Sequence, residues 1–218
     1  MSKMLYKKIK RILDIIFSSI LLLFFSPLLL LVYILIWIED RSEVFVKQPI
    51  RLGVNGKEFK MYKFRSMVPN AHEKILNNPK YSSLKKKWSG NDRKLSIKED
   101  DRITKIGKVL RSTDIDELPQ LLNVLKGDMS IVGPRPMYKL EIEEHLKSYP
   151  EDKKKIEKIL SVKPGMTGIW QVSGRNDIVF KDRVVLESEY SENYNFLTDA
   201  KIFFLTPYVI LTRKGVHG

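Results

Sequence analysis

The sequence predicts an α+β fold that is mainly helical, with a membrane helix at its start and one body behind it. Three observations carry that prediction. An uncharged apolar run extends from Ile15 to Ile38. Ile115, Leu118, Leu121, Leu122 and Leu125 recur at helical spacing before Gly127. Asn55-Gly56 separates two short segments of strand character. The chain has 218 residues, room for about one domain beside a membrane segment, and a formal net charge of +13. That excess favours anionic partners such as lipid headgroups, phosphorylated substrates or nucleic acid. Cysteine is absent, which removes disulfides, thiolate metal sites and cysteine nucleophiles. His72, His145 and His217 are scattered without ligand spacing and read as surface or packing residues.

The apolar run of about 24 residues would span about 36 Å as a straight helix, enough to cross a hydrocarbon core of about 30 Å. It is too long for a signal peptide, and no small-residue cleavage site follows it. Two observations count against a plain spanning anchor. Lys3, Lys7, Lys8, Lys10 and Arg11 precede the run, and Arg41, Lys47, Arg51, Lys57 and Lys60 follow it, so both ends carry the cytoplasmic signature. Ser26-Pro27 stands at its centre, where proline removes a backbone hydrogen bond and the serine hydroxyl helps to bend the helix. A helix broken there has two arms of about 18 Å, each reaching mid-bilayer and able to return. These features favour a re-entrant helix over a spanning one without deciding the matter.

Val44–Val46 and Phe59–Phe64 form the expected hairpin strands around Asn55-Gly56. Residues 68–100, including Lys85-Lys86-Lys87, read as a polar surface excursion. Pro119 puts the start of the leucine-patterned helix just before it, with Asp116 and Glu117 near the N-terminus. Further helices are expected at Leu140–Tyr149 and Glu151–Leu160. Ile202–Leu211, interrupted by Pro207 and flanked by Lys201, Arg213 and Lys214, is too short to span; it is either a core helix or an interfacial one.

Asp116-Glu117 is the leading candidate for chemistry. Acids at a helix start ordinarily offset the helix dipole. Here Arg102, Lys105, Lys108 and Arg111 precede the pair, and Lys126 and Arg135 follow it. Arg135 lies in Gly133-Pro134-Arg135-Pro136, where two prolines stiffen the backbone. Arginine's planar fork suits phosphate oxygens, and adjacent carboxylates among arginines suit a Mg²⁺-assisted phosphoryl site. With no Cys and no clustered His, a carboxylate is the natural nucleophile. No P-loop, G-x-G-x-x-G or kinase signature is present. The glycines of Lys163-Pro164-Gly165-Met166-Thr167-Gly168 permit close backbone approach. The following segment through Gln171, Arg175 and Asn176 offers polar contacts to a small molecule, though a structural turn reads equally well. A membrane-tethered basic module binding anionic lipid or nucleic acid without turnover explains the charge and the apolar run. It leaves the acid pair unexplained, and no nucleic-acid-binding fold is recognisable.

In order along the chain, Ser26-Pro27, Tyr62–Met67, Asp101–Thr104, Leu110-Arg111, Asp116–Gln120, Asn123–Ser130, Val132–Pro136, Lys163–Gly168 and Gln171–Asn176 give it a close likeness to one family. The chain resembles the bacterial sugar transferases, the small monotopic phosphoglycosyl transferases. The resemblance implies a re-entrant helix within residues 1–38, broken at Ser26-Pro27, and a catalytic domain over 39–218 on the cytoplasmic face of the bacterial inner membrane. It implies transfer of a sugar 1-phosphate from a UDP-sugar to undecaprenyl phosphate with release of UMP. Asp116 would be the nucleophile that carries the phosphosugar, and Glu117 would help to hold Mg²⁺. Lys63, Arg111 and Arg135 fall on positions associated with phosphate binding, and Gln171, Arg175 and Asn176 would lie near the nucleotide or sugar. The chain should be the minimal form, without the transmembrane bundle of larger relatives. Anionic lipids are expected partners and nucleic acid is not; the sugar, the glycan pathway and a homodimer are left open.

Overall fold

The computed structural model describes residues 3–46, 50–71, 79, 82, 99–213 and 215. Lys47, His72, His217 and most of the expected 68–100 excursion, with its lysine run, lie outside them. The chain opens with one helix, α1 (Lys3–Asp40). Its backbone stays helical through Pro27, so the expected break is not a gap between two helices. The reason is local. Pro27 lacks the N–H that would reach the Leu23 carbonyl four residues back, and the Ser26 hydroxyl donates to that carbonyl instead, at 2.8 Å.

Both ends of α1 dock on the body while its middle is uncovered. Tyr6 joins a core with Val124, Met129, Val132 and Tyr190. Val32 and Ile36 join another with Val44, Phe64 and Leu110. Between them Leu23 is 78% and Phe24 73% exposed. The docked ends are fixed by polar contacts. Asp14, buried within the first arm, accepts from Ser130 Oγ and from the Ile131 amide at 3.0 and 2.9 Å. Asp40, at the far end, takes both forks of Arg65 at 2.6 and 2.7 Å.

β1 (Ile50–Leu52) and β2 (Glu58–Lys60) are antiparallel, with Arg51 opposite Phe59. Asn55 and Gly56 take positive φ in the turn, as their residue types predict. The first strand therefore lies later than the expected Val44–Val46, which pairs farther along the same ribbon through Phe45 and Phe64. α2 (Lys105–Thr113), capped by Thr104 on the Gly107 amide, was not marked by the sequence pattern. The leucine-patterned helix begins as a 3₁₀ turn over Ile115–Gln120 and becomes α3 at Leu121–Lys126, ended by Gly127 at φ 91°. Its acid pair thus sits on the 3₁₀ turn that enters the α-helix.

β3 (Ser130–Val132) runs parallel to β4 (Gly165–Thr167), Ser130 opposite Gly165. The crossover carries α4 (Lys139–Ser148) and α5 (Lys153–Leu160), within three residues of expectation. α6 (Ile169–Ser173), α7 (Phe180–Asn193) and α8 (Phe196–Thr212) complete the chain. α8 packs one face into the core and leaves the other bare. Ile202 and Val209 are buried, while Phe204, Tyr208 and Leu211 face outward. The fold is α+β and mainly helical, as predicted.

Candidate active site

Three segments build the acid pair's surroundings. Asp114 ends α2 in the left-handed conformation, φ 56°, which a short polar side chain tolerates, and the chain turns there into the 3₁₀ segment. The Asp116 carbonyl then accepts from the Phe64 amide at 3.0 Å, so Lys63 is held directly across from the pair. Asn123, fully buried on α3, stitches the same two segments together. Its carbonyl accepts from the Tyr62 amide, and its amide nitrogen donates to the Lys60 carbonyl, each at 2.8 Å.

Arg135 comes from the third segment. Gly133 there lies against Gly165 and Gly168, and a Cβ on either would be driven into the Gly133 backbone. Gly165 donates to the Pro134 carbonyl and Gly133 to that of Thr167, at 2.8 and 2.9 Å. The two glycine-bearing motifs of the sequence are therefore one construction, a crossed pair of backbones that fixes the Arg135 loop.

Lys63 Nζ lies 2.9 Å from Asp116 Oδ2 and 3.1 Å from Glu117 Oε1. Arg135 stands 3.7 Å from Glu117 Oε1. Asp116 Oδ2 is buried against the Lys63 ammonium, an ion pair whose angles are poor for a hydrogen bond. Burial raises the Asp116 carboxyl above its ordinary range; Lys63 pulls the other way without cancelling it, and Glu117 adds to the rise. Burial works on Glu117 in the same sense, but Lys63 and Arg135 outweigh it and lower that carboxyl to about 2. The two neighbours are thus pushed apart: Glu117 is firmly anionic and Asp116 is the more basic oxygen donor.

The remaining sequence candidates divide. Arg111 donates through Nε to Ser66 Oγ at 2.9 Å and lies near enough to Asp116 to favour its charged form. Arg175 pairs with Asp114 at 2.7 Å and adds to the field that lowers Glu117. Gln171 is buried and donates to the Met166 carbonyl, leaving its own carbonyl oxygen without a partner. Asn176 is exposed, and no contact brings it to the pair. Arg102 is spent on Asp100, with both forks at 2.7 and 2.8 Å, and does not join the site. Two residues were misjudged or missed. Arg51, counted among the charges flanking the membrane run, is instead buried beside the site, its guanidinium 3.1 Å from the Tyr138 ring centroid. It lines a shallow cleft with Glu117, Gln120, Arg135 and Met166. Trp170, with a buried indole N–H lacking a partner, lies under Arg135, whose guanidinium is 5.2 Å from its ring. A basic residue in a strand and a lone tryptophan carry no sequence signal for such placement.

The arrangement offers two carboxylates of unlike basicity, one of them deeply buried, among Lys63, Arg111 and Arg135. That suits attack on an anionic phosphorus centre. No group of three or more His, Cys, Asp or Glu side chains suited to a metal occurs among the described residues. Glu117, held anionic, and Asp116 beside it are the carboxylates that would take a Mg²⁺ ion, which asks for only one or two of them.

Residues 5–213 match the family model described as bacterial sugar transferase. The chain is 40% identical over 213 residues to an undecaprenyl-phosphate galactose phosphotransferase of Salmonella typhimurium, covering 96% of this chain and 42% of that protein. It is 40% identical to the exopolysaccharide production protein ExoY of Rhizobium meliloti, over 94% of this chain and 86% of that one. It is 36% identical to a UDP-glucose:undecaprenyl-phosphate glucose-1-phosphate transferase of Klebsiella pneumoniae, over 95% and 41%. The chain spans less than half the length of the Salmonella and Klebsiella proteins. It belongs to the bacterial sugar transferase family.

Proposed function

We propose that this bacterial sugar transferase moves a sugar 1-phosphate from a UDP-sugar to a polyprenyl phosphate, releasing UMP, through an aspartyl-phosphosugar intermediate. The observation that supports it most is the buried Asp116 Oδ2, ion-paired to Lys63 with Arg111 close by, next to a Glu117 that Lys63 and Arg135 hold anionic. In the first step Asp116 Oδ2 forms a bond to the phosphorus that bears the sugar. The bond from that phosphorus to the bridging oxygen breaks, and UMP leaves with the electron pair. In the second step a phosphate oxygen of the lipid attacks the same phosphorus, the Asp116–phosphorus bond breaks, and the carboxylate returns. Lys63 and Arg135 offset charge on the diphosphate, which otherwise repels an anionic nucleophile. Mg²⁺ held by Glu117 and Asp116 would neutralise the same oxygens. The names of the relatives point to undecaprenyl phosphate as acceptor and to hexose donors.

The acceptor's phosphate lies at a membrane surface, and α1 is long and apolar enough to enter one. Docking of both its ends on the body, with the middle bare, supports a re-entrant path, and the basic residues flanking it support a catalytic domain on the cytoplasmic face. The reaction is tested by UMP release from UDP-hexoses and UDP-N-acetylhexosamines, with and without undecaprenyl phosphate and Mg²⁺. Release that depends on one donor and on the lipid for turnover is expected. No release with any UDP-sugar would sink the reading.

A further inference from the structure

We infer that Glu187 and Arg183, on α7, form a positioning clamp that sets the direction of Arg135. This rests on the phosphate-binding role given to Arg135 above. Glu187 is fully buried. Its Oε1 accepts from the Arg135 amide at 2.8 Å, and its Oε2 accepts from Arg183 Nε at 3.1 Å. Arg183 in turn donates through Nη2 to the Arg135 carbonyl at 3.1 Å. Both polar backbone groups of one residue are thus held by two charged side chains from another element. Pro134 and Pro136 restrict the same backbone from either side. The Arg183 guanidinium also lies 5.0 Å from the Trp170 ring, and that of Arg135 lies 5.2 Å from it.

An ion pair one helical turn apart needs no burial to form. Removing a carboxylate from water is unfavourable, and Glu187 is pushed up from its ordinary range by that burial. The geometry gives the buried charge a use that a surface pair would not have. It aims a short, proline-locked loop so that its one guanidinium stands 3.7 Å from Glu117. Positioning a charge before substrate arrives lowers the cost of binding and reaction.

The test is a double-mutant cycle on the full chain, combining Glu187→Gln with Arg135→Ala, read in inorganic pyrophosphate affinity, in KM and kcat for the UDP-sugar, and in Tm. Glu187→Gln keeps one acceptor oxygen and loses the negative charge that faces Arg183. The clamp predicts about a tenfold rise in pyrophosphate Kd and donor KM in the native background, and less than twofold in the Arg135→Ala background. The same fold-change in both backgrounds overturns it, as does an unchanged Kd in a folded Glu187→Gln protein. Should Glu187→Gln fail to fold, Arg183→Lys takes its place in the cycle, with the same expected pattern and the same overturning one. Coupling in pyrophosphate affinity without any UMP release would sink the transfer reaction and leave the clamp standing. UMP release with no coupling would do the reverse.

Discussion

Asp116 and Glu117 are neighbours in sequence with opposite electrostatic fates, and this shapes what substitution at each should do. Asp116→Asn removes the oxygen proposed to attack phosphorus and is expected to reduce UMP release by at least about 10³-fold, the scale of losing a covalent nucleophile. The same change should stabilise the fold. A carboxyl whose folded pKa is raised contributes stability below its ordinary pKa and loses it as pH rises through the folded value. At neutral pH the ionised Asp116 is therefore a burden that the neutral amide lacks. A higher Tm than that of the native chain is expected at pH 7, with the difference shrinking toward pH 4. Equal Tm values across that range would contradict the burial account. Glu117 has the opposite sign. Its carboxyl, lowered to about 2, contributes stability above the ordinary glutamate value and loses it as pH falls toward 2. At this scale the sequence was informative about the acids, Arg111 and Arg135, because charge reversal in a short stretch is visible without coordinates; Lys63 was reached only through the family resemblance. It was silent about Arg51, Trp170, Arg183 and Glu187. Their roles arise from contacts across many tens of residues, and each has an ordinary neighbourhood in the chain.

Among the elements, α1 was the most legible and α7 the least. An uncharged run with a central proline announces itself. α7 mixes buried Arg183, Val184 and Glu187 on its inner face, so the apolar periodicity that marks a helix is diluted by the charges it buries. The strand pair β3–β4 escaped for another reason: each strand has three residues, too few for any pattern. The glycines that cross beneath Arg135 were readable as close-approach positions, but not their partner. α1 also does more than the sequence could say. Asp14, the one acid in its first arm, holds Ser130 and Ile131 at the start of β3, next to the loop of Arg135. Asp14→Ala leaves a buried hydroxyl and a buried amide without an acceptor, at a cost of about 1–3 kcal/mol. Thermal unfolding should show a Tm lowered by several degrees, and an unchanged Tm would mean that the arm is only a tether.

For the molecule as a whole, the proposed reaction ties the apolar helix α1 to the acid pair through the height at which a lipid-borne phosphate would sit. The absence of native cysteine makes the topology directly measurable, since any introduced thiol is the sole one. Single cysteines at residues 3 and 50 should both be shielded from an impermeant reagent in intact cells if α1 returns to its starting face. Labelling of one alone would show a spanning helix, which the continuous backbone through Pro27 does not forbid. The sharpest test concerns the covalent step. The intact mass of the chain should be recorded after mixing with its UDP-sugar and Mg²⁺ in the absence of lipid acceptor. The account predicts a gain of one sugar phosphate, missing from Asp116→Asn and discharged on adding polyprenyl phosphate. Product formation at a normal rate by a chain that never gains that mass would contradict it.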